Sequence, residues 1–426
     1  MSGGLDDGLT RRSFLGVAAS VLALPAAACA AQTGHGGLRL KLFPPTGPFA
    51  VGTASLYLVD HSRRDPWVPR QPRELMVSMW YPASSAGGYR WARWIPQAAG
   101  TLYLNQFVSS LQTTNTGAAA SASGGRSLPG VHLPIIRARE GAPVHLAARP
   151  YPVVLYQPGL GDVRETGTGL VSDLASQGYV VVTMDDTYEA QVVEFPDGRL
   201  ATTRPNQSHV GSARLADTRI VLDQLVRLQS GVNPDALQRK LPTGLSEVVD
   251  TSKVGMFGHS LGGAMAAQAM AADTRIHAGI DLDGTILLKK RSRNPTLDEQ
   301  LAHQLGGRPF MLFTRHGHNA HSDPTLAGFW SGLRGWRLFL ALRGAQHFTF
   351  ADFVEFLPQL LAAAIRPDKI TRALVADYVG TIAPMRAVSA ERAYITAFFD
   401  LHLRGQSSNL LNSPSPDYPE IQFLGR

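Results

Sequence analysis

The apolar residues of this chain change rhythm near residue 151. From there on, apolar runs of strand length recur: VVLY at 153–156, YVVVTM at 179–184, KVGMF at 253–257, HAGIDL at 277–282, PFMLF at 309–313 and WRLFLAL at 336–342. Most are separated by stretches with helical spacing; in RLADTRIVLDQLVRLQS, Val221, Leu225 and Leu228 fall on one face. A strand with one wet face alternates polar and apolar residues, whereas these runs are nearly continuous, which predicts burial on both faces. Buried strands alternating with amphipathic helices predict an α/β fold, a mostly parallel central sheet with helices on both faces. In such sheets the functional side chains gather at the carboxyl ends of the strands.

Upstream of residue 151 the pattern is less regular. ASLYLV at 54–59 and ELMVSMWY at 74–81 predict two early strands, with the Pro-rich RRDPWVPRQP between them. The aromatic stretch WARWIPQAAGTLYLNQFVSSL reads either as a lid or as a helix packed on the core. QTTNTGAAASASGGRSLPG at 112–130 is poor in bulky apolar groups and reads as a flexible loop. Residues 91–150 are therefore set apart as an insertion of lid-like composition within a single domain spanning 38–426. No unit of 20–50 residues repeats, which excludes solenoids and propellers.

Residues 1–30 stand outside this pattern. TRRSFLGVAASVLALPAAACAAQ has paired arginines, an apolar stretch from Phe14 to Leu24 and then small residues, the layout of an export signal. Arg11-Arg12-Ser13-Phe14-Leu15 resembles a twin-arginine signal, which predicts export of the folded chain across a bacterial inner membrane. Ala28-Cys29-Ala30 reads either as a cleavage site, releasing a soluble protein, or as a lipoprotein site anchored through Cys29. Residues 31–37 then form a linker. Cys29 is the single cysteine, so no intramolecular disulfide and no cysteine chemistry are expected in the body of the protein.

Composition adds little to the fold but narrows the partners. The net charge of +7 is carried mostly by arginine and is scattered, compatible with mild attraction to anionic or lipid surfaces. The one dense basic run, Lys289 to Arg293, reads as a solvated loop, and no basic stripe with interleaved aromatics points to nucleic acid.

The chemistry concentrates at GHSLGG. Gly258-His259-Ser260-Leu261-Gly262 fits G-x-S-x-G, a weak pattern alone in a chain with 42 glycines. Its setting strengthens it: an apolar strand ends at Phe257, and LGGAMAAQAMAA starts a helix just after Ser260. A sharp strand–serine–helix turn needs small neighbours and lifts the hydroxyl over the sheet edge, at the positive end of the helix. Ser260 is thus the expected nucleophile. A serine needs a histidine base oriented by a carboxylate, and in this arrangement the chain order is serine, acid, histidine. His347 follows the last strand-like run and is the expected base. His316, His318 and His321 lie in RHGHNAHSD; with no acidic or cysteine partner cluster they read as a solvated loop, not a metal site. For the acid, the residues leave both Asp283, at the end of HAGIDLD, and Asp323 open. Two backbone amides should receive the developing oxyanion: Leu261, directly after the nucleophile, and Leu160, in the glycine-rich QPGLGD that ends an early strand.

These segments resemble the secreted platelet-activating-factor acetylhydrolases, the lipoprotein-associated phospholipase A2 type of the α/β-hydrolase superfamily. The resemblance runs through TGPFAVGTASLYLVD, MWYPAS, QPGLGDVRETGTGLVSDLASQGYVVVTMDD, GHSLGGA, GIDLDG and GAQHFTFADF. It implies an α/β-hydrolase fold and a calcium-independent serine hydrolase without cofactor or metal, releasing short or oxidised acyl groups from the sn-2 position of phospholipids. It also implies an acid directly after the strand that follows the nucleophile, hence Asp283 over Asp323. One departure stands out: Pro158 occupies a position where that family usually carries histidine. Cutinase-like lipases and polyester hydrolases share the Ser260 turn and form the alternative enzyme reading. A catalytically silent fold serving as a binding protein is a third.

Overall fold

The computed structural model describes residues 37–84, 87–113, 130–286, 295–363 and 369–426. The segment read as an export signal at 1–30, Cys29, most of the segment read as a linker at 31–37, most of the segment read as a loop at 112–130 and the basic run 289–293 lie outside the described residues.

The N-terminal part supplies β1 (Leu38–Arg39), β2 (Ala50–Arg64), β3 (Pro72–Ala83), β4 (Trp91–Arg93), β5 (Val131–His132) and β6 (Ile135–Glu140). Then come β7 (Tyr151–Gln157), β8 (Val180–Met184) and the small hairpin β9 (Val192–Glu194) and β10 (Leu200–Thr202). The last five are β11 (Val249–His259), β12 (Ile276–Leu282), β13 (Phe310–Arg315), β14 (Arg337–Leu342) and β15 (Ile421–Gly425). Eleven of these form one sheet in the order β15-β14-β13-β12-β11-β7-β8-β3-β2-β6-β4. The six apolar runs read from the sequence are its centre, β8-β7-β11-β12-β13-β14, and every pairing among them is parallel. Antiparallel strands flank this block, β3 beside β8 and β15 beside β14.

Two apolar layers explain why the central runs are continuous. Along β7, Val153 and Leu155 join one layer while Val154 and Tyr156 join the other, so successive side chains are buried on opposite faces. One layer packs under the helices Val210–Gln229, Leu261–Ala272, Pro295–Gln304 and Pro324–Gly332. The other packs under Thr168–Ser176, Phe353–Ala363, Lys369–Val379 and Pro384–Phe399. Val221, Leu225 and Leu228 face the first layer, as their spacing predicts.

The segment 91–150 divides between two structural roles. Ile135–Glu140 and Trp91–Arg93 are the last two strands at one end of the main sheet, β6 paired with β2 and β4 with β6 at the edge. The helix Gln97–Thr113 places Ala99 and Tyr103 in the same layer as Trp94 and Phe356, with the Trp94 and Phe356 rings packed edge to face at 5.4 Å. Among the described residues, no helix is long and apolar enough to cross a membrane.

Candidate active site

β11 ends at His259, and the helix Leu261–Ala272 starts two residues later, so Ser260 makes the whole reversal. It adopts φ 56° and ψ −118°, a sparsely populated conformation that costs a non-glycine residue about 1–3 kcal/mol. The glycines make the turn sterically feasible. A Cβ on Gly258 would lie 2.4 Å from Gly262 C and 2.5 Å from Gln157 O, and a Cβ on Gly262 would lie 2.0 Å from Gln157 O. The Ser260 N–H donates to Leu282 O at 2.8 Å, tying the turn to the end of β12. The serine hydroxyl thus stands at the carboxyl edge of the sheet and at the amino end of a helix.

β12 delivers Asp283 to the same edge. Asp283 follows the strand with φ 55°, and its N–H donates to Phe313 O at 3.0 Å. His347 comes from the opposite side, in the one-turn helix His347–Phe350 after β14. That turn is capped reciprocally by Gln346 and Thr349 and anchored by the Thr349 hydroxyl donating to Val379 O at 2.9 Å. His347 Nε2 lies 3.0 Å from Ser260 Oγ, and His347 Nδ1 lies 2.7 Å from Asp283 Oδ2. Residues separated by 87 positions in sequence are therefore in hydrogen-bond contact.

Asp283 accepts more than one histidine. Its Oδ1 also takes the Arg315 N–H at 3.0 Å and His318 Nδ1 at 2.7 Å, and the Arg315 guanidinium contacts Oδ2. Burial alone would push this carboxyl up; the hydrogen bonds from His318 and His347 outweigh it and hold the group well below the usual carboxylate range. An ionised carboxylate only accepts, so His347 Nδ1 carries the proton and Nε2 is left to accept from the serine hydroxyl.

His318 corrects the reading of RHGHNAHSD as a solvated loop. Only 8% of it is exposed, and its second nitrogen, Nε2, lies 3.1 Å from Asp323 Oδ2. With a carboxylate at each nitrogen, both nitrogens must donate, so the ring is an imidazolium. Burial opposes that charge, but the bonds to Asp283 and Asp323 push its pKa up to about 9. The two candidate acids are therefore the ends of one bridge. Asp283 touches His347, whereas Asp323 touches His318 and caps the helix Pro324–Gly332 by accepting the Thr325 N–H at 2.8 Å. His316 and His321 are exposed. Asp281 lies deeper, fully buried, accepting the Gly284 N–H at 2.8 Å.

His259 does not reach the serine. Its Nε2 lies 2.8 Å from His347 O and its ring packs 4.6 Å from the His347 ring, so it braces the loop that carries His347. Burial, and then the neighbouring His347, push His259 down to about 3, leaving it a neutral support. Leu261 is the first residue of the helix, and half-buried Leu160 sits in the turn after β7. Among the described residues, neither of their N–H groups donates to a protein acceptor. No group of three or more His, Cys, Asp or Glu able to hold a metal ion occurs among the described residues.

Spacing and motif indicated Ser260, His347, Leu160 and Leu261 and left Asp283 and Asp323 open, with the resemblance favouring Asp283; none of these signals indicated the bridging His318 or its partner Arg315. The available signal was position: Arg315 ends β13 and His318 follows it, at the sheet edge where Asp283 emerges.

The chain also resembles known proteins. The chain matches the family described as platelet-activating factor acetylhydrolase, isoform II, over residues 38–195 and 212–379. It is 28% identical over 404 residues to an Arthroderma benhamiae protein named "Probable 1-alkyl-2-acetylglycerophosphocholine esterase", covering 89% of this chain and 92% of that one. It is 25% identical to the platelet-activating factor acetylhydrolase of Cavia porcellus, over about half of each chain (48% and 49%). A solved structure, a ferulic acid esterase from Streptomyces cinnamoneus, superposes with a TM-score of 0.67 at 32% identity, covering 91% of this chain and all of that one. The chain therefore belongs to the platelet-activating factor acetylhydrolase, isoform II, family and has the α/β-hydrolase fold.

Proposed function

We propose that the chain is an exported serine esterase that cleaves short-chain acyl esters, including the sn-2 acyl group of phospholipids, through an acyl-enzyme. That it is a carboxylic ester hydrolase rests on its family and on the esterases it resembles. The observation that carries the mechanism is the His347 ring, bound at one nitrogen to a serine hydroxyl and at the other to a buried carboxylate.

Ser260 Oγ attacks the ester carbonyl carbon while its proton passes to His347 Nε2. The carbonyl oxygen becomes an oxyanion, received by the Leu160 and Leu261 N–H groups. When the carbon–oxygen bond to the leaving alcohol breaks, His347 returns the proton to that alcohol, leaving Ser260 acylated. Water then attacks by the same route and frees the acid. Asp283 stays ionised throughout and stabilises the imidazolium.

The family and the Arthroderma relative support an alkyl-acetyl glycerophosphocholine substrate. The Streptomyces relative supports a second reading, esters of hydroxycinnamic acids. The paired arginines at residues 11 and 12 support export. A panel of an acetyl phospholipid, a feruloyl ester, p-nitrophenyl esters of increasing chain length and a polyester film separates these. The proposal expects the acetyl phospholipid and short p-nitrophenyl esters to give the highest kcat/KM. A panel led by the feruloyl ester would install the second reading, and turnover of none would remove ester hydrolysis.

A further inference from the structure

Arg214 lies in the helix Val210–Gln229 and is 1% exposed, which is costly for a guanidinium unless every donor is matched. Its partners are two consecutive peptide carbonyls and two acids. Nη1 donates to Pro158 O at 2.7 Å and Nη2 to Gly159 O at 3.0 Å. Nε and Nη2 grip Glu189 at 2.8 and 2.5 Å, and Asp186 Oδ2 lies 3.1 Å from Nη2.

Those two carbonyls belong to the turn that carries Leu160. In a trans peptide the N–H points opposite to the C=O of the same unit. The Pro158 carbonyl shares its unit with the Gly159 N–H, and the Gly159 carbonyl shares its unit with the Leu160 N–H. Because both carbonyls converge on one guanidinium, both N–H groups face away from it, on the same side. Consecutive N–H groups turned one way form a concavity suited to an anion.

The rest of the turn is already occupied. The Gly161 N–H donates to Glu189 Oε1 at 3.2 Å, the Asp162 N–H donates to Gly159 O at 3.2 Å, and Gly161 O accepts the Gln191 N–H at 2.9 Å. Among the described residues, the Gly159 and Leu160 N–H groups have no protein acceptor. The turn rests against the serine elbow: a Cβ on Gly262 would lie 2.8 Å from Pro158 O, and a Cβ on Gly159 would lie 3.3 Å from His259 Nδ1.

We propose that Arg214, held by Glu189, is a positioning residue that locks the Gly159–Leu160 peptide with its N–H preset for the oxyanion. This rests on the hydrolase reading above. The cation also polarises the peptide whose oxygen it binds, which strengthens the N–H on the far side. Lysine cannot replace the guanidinium, because an ammonium is a point charge without the planar fork that reaches both carbonyls.

The test compares full-length wild type with Arg214→Lys and Glu189→Gln on a p-nitrophenyl short-chain ester. It also measures inhibition by a trifluoromethyl ketone, which forms an oxyanion on the serine. Deleting an oxyanion donor costs about 10²–10³ in kcat, so a misaligned one in Arg214→Lys should cost about 10–100-fold. KM should stay within about twofold, and the inhibition constant should rise in parallel with the loss in kcat/KM, because only transition-state binding is affected. The acidic limb of the pH profile should not move. Glu189→Gln keeps the side-chain size and an acceptor for the Gly161 N–H while removing the charge that grips Arg214. It should show the same parallel loss on a smaller scale, and it provides the test if thermal melting shows Arg214→Lys unfolded.

A folded variant with kcat/KM near wild type would overturn the proposal, as would a loss in kcat/KM with inhibitor affinity unchanged. Ser260→Ala, measured alongside, separates the two ideas. Residual turnover there defeats the hydrolase reading itself, whereas an inert Ser260→Ala beside an unaffected Arg214→Lys defeats only the role of Arg214.

Discussion

Asp283 and Asp323 are two carboxylates on one bridge, and exchanging each for asparagine measures which one the chemistry uses. Asp283 accepts from His347 Nδ1, His318 Nδ1, the Arg315 N–H and the Arg315 guanidinium. Asparagine offers one acceptor oxygen and one donor NH2, so in Asp283→Asn at least one of these donors meets another donor. If the NH2 faces His347, the ring must expose an unprotonated Nδ1 and carry its proton on Nε2, where it can no longer accept from Ser260. Such a wrong tautomer costs about 10⁴ in kcat, or about 5.4 kcal/mol at 1.36 kcal/mol per tenfold. Apart from its contacts with Thr285 and Thr325, which lie outside the triad, Asp323 touches only His318, at 3.1 Å, so Asp323→Asn leaves every direct partner of His347 in place. It removes one charge-assisted hydrogen bond of about 1.5–3 kcal/mol, a fraction of which reaches the reacting atoms, so the expected loss is about tenfold or less. The assay is steady-state hydrolysis of a p-nitrophenyl short-chain ester by both variants, with thermal melts to confirm folding. A ratio of about 10³ between the variants is expected. Equal losses, or an Asp283→Asn variant within tenfold of wild type, would refute the assignment of Asp283 as the orienting acid.

Other consequences follow from the same contacts. His318→Gln removes a cation that bonds Asp283 Oδ1 and should lower kcat/KM by about tenfold or less; an unchanged kcat/KM would show His318 to be structural only. The imidazolium of His318 titrates near 9 in the folded chain against an ordinary 6.5, so the stability it contributes is complete below about pH 6.5 and lost as pH rises through 9. The melting-temperature gap between wild type and His318→Gln should accordingly be widest below pH 6.5 and close above 9. Gly262→Ala would drive a methyl to 2.0 Å from Gln157 O and should destabilise by about 3 kcal/mol while abolishing fluorophosphonate labelling; a normally labelled, fully stable variant would contradict the steric account of the turn.

The central sheet was legible because its strands are buried on both faces, which leaves short apolar runs that recur between amphipathic stretches. β6 and β4 were not, since they are short, half-exposed strands at the end of the sheet; Ile135, Arg137 and Trp91 are exposed and break the pattern. The serine turn was legible from its glycines, whose purpose is local and steric. His318 was misread because a polar stretch looks solvated until tertiary contacts enclose it. Here the Thr314 hydroxyl donates to His318 O at 2.6 Å and pins the turn inward, and Asp283 and Asp323 arrive from either side. Spacing could not choose between those two acids because both lie within reach of the same histidine. Arg214 was invisible for a related reason. On its helix it reads as an ordinary polar position, and Glu189, the acid that makes its burial tolerable, lies 25 residues away in sequence.

The central claim is that Ser260 is a nucleophile activated by His347. Its most direct measurement is the turnover of a p-nitrophenyl short-chain ester by Ser260→Ala, paired with mass-spectrometric location of a fluorophosphonate on the wild-type chain. The account predicts no turnover by a variant that melts like wild type, and a label on the peptide containing Ser260. Turnover persisting in Ser260→Ala, or a label carried elsewhere, would contradict it.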